Sequence, residues 1–103
     1  MIKTILATAD IVIDPYRPGV LEKFNLGPQD LYKINKRIIL LRVSGYGQYG
    51  KLSLRPGHDL NYCSISGIIP LINKHQENQF ISNYFADFVS ASLGIVGTQK
   101  ALL

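Results

Sequence analysis

The sequence has few of the residues on which several common kinds of protein depend. Its 103 residues include one cysteine, Cys63, which excludes an internal disulfide framework and a multi-cysteine zinc site and favours a reducing compartment. Only 17% of the residues are charged and 47% are hydrophobic, which argues against a disordered segment. The longest strongly apolar stretches, residues 38–41 and 68–72, are far shorter than the roughly 20 residues of a membrane-spanning helix. We therefore expect a folded domain, or part of one, with no membrane span.

Basic residues outnumber acidic ones but do not form a patch. There are 11 Lys and Arg against 7 Asp and Glu, a formal net charge of +4, and Lys36 and Arg37 are the only tight pair. This scatter favours an ordinary solvated surface, so we expect no nucleic-acid partner. His58 and His75 lack the clustered carboxylates and cysteines of a metal site, and we predict no bound metal.

Hydrophobic patterning predicts alternating helices and strands. The run at residues 9–14 ends at Pro15 and is typical of a buried strand, and residues 38–43 are apolar on both faces, as in a parallel sheet covered by helices. Helices are predicted near residues 2–6, 20–24, 28–36, 59–69 and 85–102. Pro70 is expected to stop the fourth of these helices, and residues 73–82 are expected to be polar and irregular.

This alternation predicts an α/β fold, a partial Rossmann-like open parallel sheet with flanking helices. Two strands alone make a marginal sheet, and strands that are apolar on both faces need neighbours on each side. We therefore expect residues 1–103 to be part of a larger α/β domain.

The loop predicted for residues 44–57 is rich in glycine. Gly45, Gly47 and Gly50 have the spacing of a dinucleotide-binding fingerprint and follow a strand. The fingerprint also needs a helix that opens at the third glycine and an acidic residue about 20 positions later, and both are missing. A flexible loop near a ligand is the better interpretation.

Ionisable residues occur at two predicted helix starts. His58 and Asp59 precede or begin one helix, and Asp87 lies near the start of the last. Structural roles account for all three residues: Asp59 caps its helix, Asp87 favours a first helical turn, and His58 is a polar junction residue. The pattern alone leaves both these roles and functional ones open.

Several motifs together resemble the family III (CaiB/BaiF-type) CoA-transferases, and most closely their α-methylacyl-CoA racemase branch. In chain order they are ADIVIDPYRPGVLEK (residues 9–23), LGP (26–28), SGYGQ (44–48), GHDLNY (57–62), SG (66–67) and ADF (86–88). They span nearly the whole chain. The resemblance identifies the chain as part of the family's large domain, with the smaller C-terminal domain absent.

The resemblance implies racemisation at C2 of 2-methylacyl-CoA thioesters, and hence an isomerase of fatty-acid metabolism. His58 and Asp87 would be the catalytic pair, one removing the α-proton and the other returning a proton to the opposite face of a planar enolate. Helix-start N–H groups near Asp59 or Asp87 would stabilise the enolate oxygen. No cofactor is implied, because the CoA thioester is itself the substrate.

The resemblance also implies a set of residues that bind the CoA thioester. They are Asp14, Pro15, Tyr16, Arg17, Lys23, Gly57, His58, Asp59, Leu60, Asn61 and Tyr62. Lys23 stands where the family often has arginine, so it would meet a phosphate as a point charge without a bidentate fork. The family usually has glycines after the ADF motif, whereas this chain has Val89 and residues 90–92.

Alternatives to a racemase remain open. Family transferases use the aspartate at the Asp87 position as a nucleophile and do not need the histidine, so His58 favours the racemase. A third hypothesis, beside the racemase and the CoA-transferase, is a non-catalytic remnant that binds CoA or a full-length paralogue. The resemblance implies an acyl-CoA ligand and either a homodimer or association with a paralogue. It makes both mitochondria and peroxisomes candidate locations, and no sequence signal decides between them.

Overall fold

A computed structural model describes residues 1–72 and 84–103 of the chain. The irregular segment predicted for residues 73–82 lies outside the described residues. The elements are α1 (Ile2–Leu6), β1 (Ile11–Asp14), α2 (Val20–Lys23), α3 (Pro28–Ile34), β2 (Ile39–Arg42), α4 (Asp59–Ser66), α5 (Ile68–Ile72) and α6 (Phe85–Leu102). The predicted α/β class is confirmed, and most boundaries lie within a residue or two of those expected.

The two strands pair in parallel. Ile11 lies opposite Ile39, and Asp14 lies opposite Arg42 at the other end of the pair. Parallel pairing needs a crossover connection, which here contains α2 and α3. Both strands therefore end at the same edge of the sheet.

The crossover is held by local turn chemistry and one buried side chain. Gly19 precedes α2 with a φ of 85°, a left-handed conformation that suits glycine, and Pro28 begins α3 where its missing N–H is not needed. Leu31 of α3 is only 1% exposed. The side-chain amide of Asn35 donates to the carbonyl of Ala9 at 2.9 Å, which ties the end of α3 to the start of β1.

The sheet is less covered than the sequence predicts. Ile11 and Ile13 are 37% and 63% exposed, so the expectation that the first strand is buried is wrong for the described residues. Helix α6 does pack on β2, where Gly94 lies against Leu41. Within the described ranges, one face of β1 has no such helix.

The helix predicted for residues 59–69 is divided in two. Gly67 ends α4 with a φ of 75°, and α5 begins at Ile68. The expectation that Pro70 stops a helix is wrong, because Pro70 is the third residue of α5. Residues in a first helical turn have no intrahelical partner for their N–H, so proline is tolerated there. None of the described helices has both the length and the apolar character needed to cross a bilayer.

Candidate active site

A cleft of about 430 Å³ lies where the two parallel strands end. Its lining comes from the segment after β1, the loop after β2, Tyr62 of α4 and the first turns of α6. The lining residues are Pro15, Tyr16, Arg17, Val43, Ser44, Gly45, Tyr46, Ser53, Arg55, Gly57, Tyr62, Ala86, Asp87 and Ser90. Open α/β sheets characteristically bind ligands outside the carboxyl ends of their strands, so the position of this cleft is typical of a binding site.

An ion-pair network fixes the wall formed by the segment after β1. The Asp14 side chain is fully buried; its Oδ2 accepts from Nε of Arg42 at 2.9 Å, and its Oδ1 accepts from the backbone N–H of Tyr16 at 3.0 Å. The far end of the same guanidinium donates to both carboxylate oxygens of Glu22, at 2.8 and 3.4 Å. Asp14 thus binds the backbone that presents Tyr16 and does not itself line the cleft.

This network also affects the ionisation of Glu22. The hydrogen bond from Arg42 is the main cause that lowers the pKa of Glu22 below its usual value. A carboxyl group with a lowered pKa stabilises the fold above its unfolded-state pKa, and that contribution is lost as the pH falls through the folded-state value. Because Glu22 is largely exposed, we expect its contribution to be small.

Tyr62 closes the opposite wall against the glycine-rich loop. Its hydroxyl donates to the carbonyl of Gly57 at 2.6 Å, and its ring packs edge-to-face against Tyr46 with centroids 5.0 Å apart. A Cβ atom at Gly45 or Gly57 would collide with the Tyr62 ring. These two glycines therefore serve close packing of the loop on α4. The other two glycines of the dinucleotide-like spacing, Gly47 and Gly50, have left-handed φ values of 77° and 97°, so each glycine of that spacing has a structural explanation.

Asp59 joins the two helices that carry the predicted catalytic pair. It is the first residue of α4, and its Oδ1 accepts a hydrogen bond from the backbone N–H of Ala86 in the first turn of α6. His58 precedes Asp59 and Asp87 follows Ala86, so each predicted catalytic residue is one position from this bond. The expectation that Asp59 caps its own helix is wrong. The amide of Ala86 is already occupied, which removes it as a donor for an enolate oxygen.

Cys63 is buried beside this bond. Its thiol lies 3.6 Å from Oδ2 of Asp59, and its side chain contributes to the small core. Burial and the adjacent carboxylate raise the pKa of Cys63, in that order of importance. The neutral thiol is therefore the dominant form at pH 7, which fits a packing role.

The structure brings only part of the predicted site into the cleft. Six predicted residues line it: Pro15, Tyr16, Arg17, Gly57, Tyr62 and Asp87. The remaining six do not: Asp14, Lys23, His58, Asp59, Leu60 and Asn61. His58 is exposed at the start of α4, and Oδ1 of Asn61 accepts its backbone N–H at 2.9 Å. The direct contacts predicted for this second group stay predictions.

The sequence interpretation missed one charged residue of the cleft. Arg55 lines it together with Arg17, and among the described residues Asp87 is the only acidic one in the lining. The basic residues form no patch in the sequence, so charge patterning did not single out Arg55. The signal that could have found it is its position in the glycine-rich loop that follows β2. The cleft thus combines two guanidinium groups with one carboxylate.

A second, more open cleft lies behind the tyrosine pair. It has a volume of about 470 Å³, shares Gly45, Tyr46 and Tyr62 with the first, and continues along Leu52 and Ile65. The pair therefore separates a charged cleft from a mainly apolar one.

The chain is thus an α/β protein whose charged cleft lies at the carboxyl edge of a parallel sheet, the place where open α/β sheets characteristically bind ligands. Comparison with known proteins defines the class further. The family model for CoA-transferase family III matches residues 1–103, and the chain belongs to that family. The resemblance stated from the sequence motifs is confirmed.

Individual relatives include both kinds of enzyme in the family. The chain is 40% identical to α-methylacyl-CoA racemase of Mus musculus over 93% of its own length and 26% of the racemase. It is 37% identical to the succinyl-CoA–L-malate CoA-transferase beta subunit of Chloroflexus aurantiacus, over 97% of the chain and 25% of that protein. The crystal structure of a CaiB/BaiF family protein from Brucella suis matches with a TM-score of 0.81 and 28% identity, over 98% of the chain and 27% of that structure. The chain thus spans about a quarter of the length of these relatives.

Proposed function

We propose that the chain provides the proton-transfer part of an α-methylacyl-CoA racemase-like site. The observation that carries this proposal is the Asp59–Ala86 hydrogen bond, which brings the segments of His58 and Asp87 together at the edge of a cleft containing Asp87. One residue would remove the C2 proton of a 2-methylacyl-CoA to leave an enolate, and the other would protonate C2 from the opposite face. Atoms balance without a cofactor, since the only change is the configuration at C2.

The cleft supports a CoA thioester as the ligand. Arg17 and Arg55 provide positive charge for an anionic ligand, and Tyr16 adds a hydroxyl group. We also propose that residues 1–103 correspond to part of a Rossmann-like large domain. The partners expected from the family, a second copy or a full-length paralogue, would complete the site.

A CoA-transferase is the second candidate, and a specific observation favours it. Asp87 lines the cleft whereas His58 does not. As a nucleophile, the Asp87 carboxylate would attack the thioester carbonyl, release the CoA thiolate and form an anhydride. The thiolate would then attack the Asp87 carbonyl of this anhydride, which releases the donor acid and leaves a CoA thioester on Asp87. An acceptor carboxylate would attack that thioester to form a second anhydride, and the released thiolate would take the acceptor acyl group and restore the Asp87 carboxylate.

Isotope exchange and CoA transfer distinguish the two functions. We would incubate the full chain with a 2-methylacyl-CoA in D₂O, follow deuterium at C2 by NMR, and confirm folding from the dispersed methyl signals of the protein in the same sample. For a racemase, His58→Ala and Asp87→Asn each reduce exchange by about 10²–10⁴-fold. For a transferase, CoA transfer to a free carboxylic acid survives His58→Ala and is lost in Asp87→Asn.

A chimera covers the case in which the chain alone is inactive. Residues 1–103 would replace the matching segment of the mouse racemase, and the same variants would be tested in that background. Exchange that depends on both residues supports the proposal. A folded chimera without exchange above the buffer control, together with an inactive folded chain, overturns it.

A further inference from the structure

One wall of the cleft rests on a buried charge that the proposed chemistry does not use. The Asp14 side chain has no solvent exposure, and Arg42, with 16% exposure, is its only charged partner in the described residues. A buried carboxylate is costly unless each of its oxygens is bonded, and both oxygens of Asp14 are. The ion pair with Arg42 and the two hydrogen bonds offset the cost of removing this carboxylate from water, and they also fix the backbone to which it is bonded.

That geometry is imposed on two residues of the cleft. Asp14 accepts the backbone N–H of Tyr16, an Asx-type turn that sets the direction in which the chain leaves β1. Tyr16 and Arg17 follow this turn and line the cleft. The path of the segment therefore depends on a carboxylate that does not line the cleft.

Arg42 and Glu22 extend the same network to α2. Arg42 is held from two sides, with Nε on Asp14 and the terminal nitrogens on Glu22, so its planar fork cannot rotate without breaking one pair. Since β1, β2 and α2 each contribute one member, the network joins both ends of the segment that contains Tyr16 and Arg17.

We propose that Asp14, Arg42 and Glu22 are positioning residues that hold Tyr16 and Arg17 in the conformation that binds a CoA thioester. The inference rests on the proposed ligand but not on racemisation. Its direct consequence is that affinity for CoA depends on residues outside the cleft. If the loop occupied its binding conformation only a tenth of the time, the apparent Kd would rise about tenfold.

Gly27 offers a way to disturb this network without changing a charge. A Cβ atom at Gly27 would lie 2.8 Å from Cγ of Glu22, so the Glu22 side chain would have to move. The φ of Gly27 is −65°, which alanine adopts readily, and the substitution causes no backbone strain. Gly27→Ala should therefore weaken the Arg42–Glu22 pair, with an additional cost at Gly27 as the N-cap of α3 that the unfolding midpoint records.

CoA itself is the probe that tests the proposal. Its Kd would be measured by calorimetry on the full chain and on Asp14→Asn and Gly27→Ala, well below each unfolding midpoint. Hydrogen exchange at the Tyr16 amide would be followed in the same proteins. We expect Asp14→Asn to raise the Kd about tenfold and to speed Tyr16 exchange more than that of the α3 amides, and Gly27→Ala to act in the same direction more weakly. Asp10→Asn is the matched control, because Asp10 is exposed and its side chain makes no hydrogen bond within the described residues.

The test separates positioning from bulk stability. A merely structural role lowers the unfolding midpoint of Asp14→Asn but leaves the Kd of the folded protein and the relative protection of Tyr16 unchanged. That result overturns the proposal, as does a folded wild-type chain that does not bind CoA. If CoA binds and responds as expected while C2 exchange is absent, the positioning role stands and the racemase proposal fails.

Discussion

Asp59 shows how one side chain can serve two helices. It begins α4, yet its carboxylate accepts from the first turn of α6 and lies beside the thiol of Cys63. A carboxylate at a helix N-terminus satisfies an N–H group that has no partner within the helix and interacts favourably with the helix dipole. The bond therefore stabilises the start of α6 and joins the segments that contain His58 and Asp87.

Replacing this carboxylate by a neutral amide should weaken the contact between α4 and α6. We expect Asp59→Asn to lower the free energy of unfolding by about 0.5–1 kcal/mol, because a neutral oxygen accepts the Ala86 N–H more weakly than a carboxylate and loses the favourable interaction with the dipole of α6. Labelling of Cys63 by a thiol reagent at pH 7 should become faster, because the raised pKa of the thiol depends on burial and on Asp59. Asp30→Asn is the control, since Asp30 lies in the first turn of α3 and its side chain has no hydrogen bond within the described residues. Equal labelling rates for Asp59→Asn and the wild type would contradict the assignment.

At the scale of elements, α6 packs on β2 at Gly94, a residue that has no side chain. A Cβ atom at Gly94 would lie 3.1 Å from Cδ2 of Leu41, whereas one at Gly97 would meet nothing within 4 Å. Both glycines lie inside α6, where alanine is intrinsically favoured by about 1 kcal/mol. The two positions therefore have the same helical preference but different surroundings.

This pair gives an internal measurement of packing between α6 and β2. Gly97→Ala should raise the free energy of unfolding by about 0.5–1 kcal/mol. Gly94→Ala should gain about 1 kcal/mol less than Gly97→Ala, because Leu41 has to shift. Urea unfolding of both variants provides the comparison, and equal gains would show that α6 does not rest on β2 at this point.

Element types were predictable from the sequence because each has a strong local cause. A β-branched run indicated β1, a run apolar on both faces indicated β2, and Pro28 marked the start of α3. Pro70 misled because a proline that stops one helix also fits the first turn of the next. Local patterns thus identify elements better than they identify where neighbouring elements separate.

The candidate site was only partly predictable for a different reason. Motif resemblance predicted Tyr16, Arg17 and Asp87 as site residues, and all three line the cleft in the structure. It could not show that Asp14 turns inward to Arg42 or that Asp59 bonds across to α6, because both contacts join residues more than 25 positions apart. Such pairings depend on tertiary packing, which one sequence without homologues does not reveal.

At the scale of the whole molecule, the described residues have little interior and much exposed apolar surface. Leu6, Leu31 and Cys63 are their buried hydrophobic residues, whereas 21 large hydrophobic residues are exposed. Phe88 and Ile95 are exposed by 72% and 60% and, seven positions apart, share one face of α6. Apolar patches of this kind usually mark surfaces that associate.

The chain alone should therefore self-associate. We expect the apparent mass in sedimentation to rise with protein concentration, and Phe88→Ser combined with Ile95→Ser to reduce that rise. The free energy of unfolding should change little in this variant, because both side chains are already in water. Lys3→Ser combined with Lys100→Ser is the control for altered surface polarity. A wild-type chain that stays monomeric at millimolar concentration would contradict the expectation.

The hydrogen bond from Ala86 to Asp59 has a consequence for how such a chain can vary over evolutionary time. Along the polypeptide, His58 and Asp87 are separated by residues 59–86, but the Asp59–Ala86 contact provides a much shorter route through space. Because this contact joins the two segments directly, a substitution at Asp59 would disturb the proposed cooperation of His58 and Asp87, although Asp59 itself takes no part in the proposed proton transfer.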